Sequence, residues 1–111
     1  MSFTAVAQVN DILKGSMKVY SVGNKQILVS NVDGKCYAID NTCTHMGGDL
    51  SKGKLEGKII TCPRHGAKFD VTSGECISGP KLGILKPKGK NTIAYQVKIE
   101  GSSIKIDIQM H

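Results

Sequence analysis

The chain has 111 residues and a mass near 11.9 kDa, enough for one domain with a single modest core but not two. Apolar residues make up 40% and charged residues 22%, which excludes a disordered chain. Aromatics are only 5% and Trp is absent, so a core is expected to rest on Ile, Val and Leu. No apolar run approaches the roughly 18–20 residues of a membrane span. The N-terminal MSFTAVAQVNDILKG lacks the basic start and apolar stretch of a signal peptide. A soluble cytoplasmic protein is therefore expected. Four Cys and three His then stand out, as does a net charge of +6. Where thiols are kept reduced, such residues bind metal or react more often than they form bridges.

In chain order, strands are expected at 4–9, 17–22, 26–32 and 35–39, with tight turns at Gly23-Asn24 and Asp33-Gly34. Asn10 to Lys14 is the one helical candidate, with Asn10 as its cap. Further strands are expected at 58–62 and 67–70. Residues 92–99 alternate, placing Ile93, Tyr95, Val97 and Ile99 on one face. Ile104, Ile106 and Ile108 alternate with Lys105 and Asp107, and Glu100-Gly101-Ser102 between the two runs completes a hairpin signal. Many short strands with frequent turns imply an all-β fold, an antiparallel barrel or sandwich. There is no repeat or linker, so residues 1–111 read as a single domain.

The centre breaks the alternation. Asn41 to Leu50 reads NTCTHMGGDL and Thr61 to Asp70 reads TCPRHGAKFD. Both are rich in Gly, Cys and His and look like loops, where sites are commonly built. The first holds Cys43-Thr-His45 and the second Cys62-Pro-Arg-His65, with sixteen residues between His45 and Cys62. Two Cys and two His suit a tetrahedral zinc. They equally suit a [2Fe–2S] cluster with two Cys on one iron and two His on the other. A single residue between Cys43 and His45 is tight for one metal and better for two irons. Gly47, Gly48 and Gly66 let the backbone approach such a site and can leave amides for hydrogen bonds to sulfur.

The pattern C-x-H-x16-C-x-x-H resembles the Rieske [2Fe–2S] signature. The resemblance runs through DGKCYAIDNTCTHMGGDLSKGKLEGKIITCPRHGAKFDVTSGECISGP, residues 33–80, and the flanking hairpins match the small β base of that fold. It implies an antiparallel β sandwich or barrel base (residues 1–40 and 81–111) and a cluster-binding subdomain of two Cys/His loops (41–80). It implies one [2Fe–2S] cluster, with Cys43 and Cys62 on one iron and His45 and His65 on the other. The His-bound iron would lie near the tip, and Gly79-Pro80 beside the cluster. Rieske centres span about −150 to +300 mV. High-potential members carry an extra Cys in each loop, where this chain has Gly48 and Arg64. They also carry a Ser and a Tyr that donate to sulfur, where this chain has Ala67 and Phe69. Fewer donors imply the low end of the range. Proton coupling through His45 and His65 is expected to lower the potential above neutral pH. Cys36 and Cys76 are read as free, partly buried thiols.

The resemblance implies a one-electron carrier from a reductase to an acceptor such as an oxygenase. Alternatives are the small Rieske subunit of a larger oxidoreductase such as a nitrite reductase, and a zinc-stabilised binding module. An oxygenase iron needs two His and a carboxylate, and only His111 remains beyond the ligand set. The chain therefore reads as a carrier and not an enzyme. Residues 51–90 hold nine Lys or Arg and three acids, while the rest of the chain holds six of each. A surface that steers acidic redox partners is expected there. Nucleic-acid or membrane binding is not expected, and a monomer is.

Overall fold

The computed structural model describes residues 3–43, 48–64, 66–79 and 89–108. Among them run eleven strands: β1 (Phe3–Gln8), β2 (Met17–Val22), β3 (Lys25–Val32), β4 (Lys35–Asp40), β5 (Lys54–Glu56), β6 (Ile59–Thr61), β7 (Lys68–Asp70), β8 (Cys76–Ser78), β9 (Ala94–Tyr95), β10 (Val97–Glu100) and β11 (Ser103–Asp107). They form three sheets, ordered β1-β11-β10, β2-β3-β4-β9 and β5-β6-β7-β8. Their pairings are antiparallel, as the alternating sequence and short turns predict. No helix among the described residues is long and apolar enough to cross a membrane.

The middle sheet organises the rest. In β3 the run Ile27-Leu28-Val29 is wholly buried, so this strand is covered on both faces. Alternation sends Leu28 one way and Ile27 and Val29 the other. Leu28 packs with Ile39, Leu50, Ile60, Phe69 and Val71. Ile27 and Val29 pack with Ile12, Ala38, Tyr95, Ile104 and Ile106. The single core expected from chain length is thus split into two clusters by a sheet. Phe69 and Tyr95 anchor one each, so the scarce aromatics contribute beside Ile, Val and Leu.

The β3–β4 turn is Asp33-Gly34, with φ of 53° and 91°. Positive φ at both central residues marks the turn type whose twist suits a two-residue hairpin. Asn31 Oδ1 accepts from the Gly34 N–H at 2.9 Å.

Three sequence expectations change. The 92–99 run does not stay in one sheet. Gln96 O accepts from the Asp107 N–H at 3.0 Å, and the chain passes from β9, beside β4, to β10, beside β11. Ile99 consequently stands 47% exposed. The helical candidate is a 3-10 turn at Val9–Asp11, where the Gln8 N–H donates to the Asp11 carboxylate, so Asn10 is not its cap. β5 and β8, three residues each, lie outside the expected strands.

Candidate metal centre

The first ligand loop leaves β4 after Asp40 and returns in a 3-10 turn, Leu50–Lys52. Its neck is closed by paired backbone. The Cys43 N–H donates to Gly48 O at 2.8 Å, Thr42 bridges Asp49, and the Leu50 N–H donates to Asn41 O at 2.9 Å. Side chains reinforce it. The Asn41 amide donates to Asp49 Oδ1 at 2.6 Å, and the Ser51 hydroxyl donates to the same oxygen at 2.6 Å. The Ser51 and Asn41 hydrogen bonds hold the Asp49 carboxyl below its ordinary value. Below the neck, the Tyr95 hydroxyl donates to Asp40 Oδ1 at 2.7 Å, linking β9 to the end of β4.

The second loop joins β6 to β7, where Ile60 faces Phe69 and Thr61 faces Lys68. The Cys62 N–H donates to Ala67 O at 2.7 Å and the Gly66 N–H donates to Cys62 O at 3.1 Å. Gly66 has a φ of 76°, which favours glycine. Its amide is therefore taken by a carbonyl, which corrects the expectation that it is left for sulfur.

These two necks meet. Cys43 and Cys62 are 3% and 2% exposed and lie in one buried cluster with Leu28, Leu50, Ile60, Ala67 and Phe69. A Cβ on Gly48 would stand 2.8 Å from Cys62 Sγ, so the first loop's backbone lies against the second loop's sulfur. That Cβ would also stand 3.4 Å from Arg64 Cβ. Disulfides place their Cβ atoms about 3.5–4.5 Å apart. Positions 48 and 64, where the resemblance placed a missing disulfide, thus face each other. Ala67 and Phe69 are buried and bring no hydroxyl. Two buried thiols on touching loop necks, in apolar surroundings, fit the Cys half of a mixed Cys/His cluster. His45 and His65, and with them the expected proton coupling, lie outside the described residues, as do Gly47, Pro80 and His111.

Cys36 and Cys76 stand as thiols. Cys36 is buried in the other core, beneath the base sheets. Burial pushes both thiols up, at Cys76 against an opposing backbone hydrogen bond at Ser78. Neither is poised to react. Beside the necks, Gly48, Asp49, Lys52, Pro63 and Arg64 line a hollow of about 370 Å³. Sequence reasoning passed over Asn41, Asp49 and Ser51. Asp followed two residues later by Ser is an Asx-turn signal that could have found the last two.

A small antiparallel protein with two thiols buried at adjoining loop necks offers a β scaffold for a metal cluster. Residues 2–88 match the family described as Rieske [2Fe-2S] domain, and the chain belongs to that family. It is 37% identical over 99 residues to the ferredoxin component of the naphthalene 1,2-dioxygenase system of Pseudomonas putida, covering 89% of this chain and 88% of that protein. The ferredoxin of Sphingomonas yanoikuyae B1 superposes with a TM-score of 0.81 at 30% identity, covering 96% of this chain and 98% of that one. A chain of the complex of reduced oxygenase and oxidized ferredoxin in carbazole 1,9a-dioxygenase also gives 0.81, at 28% identity, with 94% and 91% covered. The chain is thus an electron carrier with one [2Fe–2S] cluster, and not a catalyst.

Proposed function

We propose that this chain is a monomeric, cytoplasmic carrier that takes one electron from a reductase and delivers it to an acceptor such as an oxygenase. The observation that carries this reading is the meeting of two loop necks that buries Cys43 and Cys62 in one apolar cluster. Cys43 and Cys62 would hold one iron, and His45 and His65 the other. A bound [2Fe–2S] cluster supplies reversible one-electron chemistry. Residues 41–80 form the cluster-binding subdomain, and 1–40 with 81–111 its base. Similarity to a ferredoxin component and to a ferredoxin favours a carrier over a subunit of a larger enzyme.

Ala67 and Phe69 bring no side-chain hydroxyl to the sulfurs, which supports a potential toward the lower end of about −150 to +300 mV. Lys52 and Arg64 flank the hollow beside the necks, and Arg64 immediately precedes His65. Their charge favours an acidic patch on the partner.

The test is iron and sulfide analysis of the purified protein, a redox titration, and the low-temperature resonance of the reduced form. Two irons, two sulfides and a Rieske-type resonance are expected. A colourless zinc protein, or a potential near the top of the range, would overturn the corresponding part. Lys52→Glu with Arg64→Glu should slow reduction of the acceptor about tenfold at low salt and flatten its salt dependence. An unchanged rate would rule out steering through this surface. Gel filtration checks the monomer.

A further inference from the structure

We propose that Asn41 is the positioning residue of the first ligand loop, tying the segment that carries Cys43 to the sheet on one side and to the loop's returning limb on the other. The inference rests on the reading of Cys43 as an iron ligand. Asn41 lies two residues before Cys43 and is 5% exposed. Its backbone N–H donates to Gln26 O in β3 at 2.9 Å, and its carbonyl accepts from the Leu50 N–H at 2.9 Å. Its side-chain amide donates to Asp49 Oδ1 at 2.6 Å, while its Oδ1 accepts from the Ser51 N–H at 2.9 Å.

Both ends of the side chain are therefore engaged, one as a donor and one as an acceptor. Only an amide of this length meets both demands, because Asp offers no donor and Leu offers neither. Gln26 adjoins Ile27, which is buried in the base core, and Leu50 is wholly buried in the core beneath the thiols. One buried residue thus connects both cores to the neck that presents Cys43. Asp49 is the matching partner, since its Oδ1 also takes the Ser51 N–H at 3.0 Å.

The geometry singles out an exchange experiment on the cluster-loaded protein. Asn41→Asp sets one carboxylate against another across the 2.6 Å contact. Asn41→Asp with Asp49→Asn returns one donor and one acceptor to the pair, the Ser51 N–H keeping residue 41 as its acceptor and the Ser51 hydroxyl turning to accept from the new amide. Three readouts are taken: the rate of bleaching by an iron chelator, the g-values of the reduced protein, and the melting temperature. In Asn41→Asp, bleaching should quicken about tenfold and the g-values should shift. The double exchange should return bleaching to within about twofold of the parent. Should Asn41→Asp fail to fold or to load, recovery of a loaded protein in the double exchange supports the assignment and failure to recover overturns it. A lower melting temperature with unmoved g-values and bleaching would reduce Asn41 to scaffold and overturn it too. A parent protein without a Rieske resonance would instead refute the ligand reading itself.

Discussion

Replacing Gly48 by Ala tests how closely the two loop necks are packed. The added methyl would stand 2.8 Å from Cys62 Sγ and 3.4 Å from Arg64 Cβ. Non-bonded atoms prefer about 3.5–4.0 Å, so the methyl falls about 1 Å short of comfortable contact with the sulfur. Gly48 is not among the residues with positive φ, so the backbone itself accepts alanine and the effect is steric. Cys62 is 2% exposed and packs with Ala67 and Phe69, which blocks a cheap retreat. Overpacking of this kind costs about 1–3 kcal/mol. In a domain of this size that lowers the melting temperature by roughly 4–15 °C. Melting should be followed in apoprotein and loaded protein, together with iron content. If Cys62 holds iron as proposed, the loss should be larger in the loaded protein, because its sulfur could not then turn aside. A variant that melts like the parent and holds its full iron would refute the reasoning.

Gly48→Cys with Arg64→Cys should form a disulfide, detected by mass under oxidising conditions. The closed loop is near the length for which a bridge contributes about 3 kcal/mol, so the oxidised form should melt well above its own reduced form; equal melting would refute the juxtaposition. Tyr95→Phe removes the 2.7 Å bond to Asp40, which should cost about 1–2 kcal/mol in a denaturant titration. Burial, followed by Asp40, pushes the Tyr95 phenol up, so its proton stays in place through the ordinary alkaline range and this loss should not vary between pH 6 and about 9. At Asp70, burial alone would raise the carboxyl, but hydrogen bonds from Thr72 and the Lys58 ammonium at 3.2 Å outweigh it and hold it low. Its stabilisation is therefore present above the ordinary carboxylate value near about 4 and is lost as pH falls through the lower folded value. Asp70→Asn should lose part of the acid-side fall in melting temperature, and an unchanged profile between pH 2 and about 5 would count against it.

The sequence singled out Cys43 and Cys62 by donor type and spacing, and the fold brings both into one buried cluster. The strands with strong alternation or strong turns were readable as well. Asp33-Gly34 dictates its hairpin locally, and Ile104 and Ile106 alternate cleanly. The switch at Gln96 was not readable, because apolar spacing continues through it while the pairing partner changes from β4 to β11. Period reports which face a side chain takes and not which sheet receives it. Asn41 was missed for a related reason. Its four partners lie at Gln26, Asp49, Leu50 and Ser51, and only the folded neck gathers them.

The two-sided middle sheet also explains how a small chain can hold a cluster firmly. Leu28 and Ile39 face each other across β3 and β4, directly in the cluster that buries Cys43 and Cys62. Their neighbours Ile27, Val29 and Ala38 are buried in the opposite core. Because close-packed interiors transmit strain, neither strand can shift beneath the thiols without disturbing the base. A ligand site mounted this way needs little rearrangement when its charge changes, which suits repeated electron exchange. The positive charge sits on exposed side chains beside that machinery. Its excess lies in residues 51–90, and Lys52, Arg64 and Lys68 are exposed there. Exposed substitutions outside the core usually change stability by within about 0.5 kcal/mol. The surface met by a partner can therefore change sign without loosening the site, so charge reversal at Lys52 should alter the rate of transfer while leaving the melting temperature of the loaded protein in place.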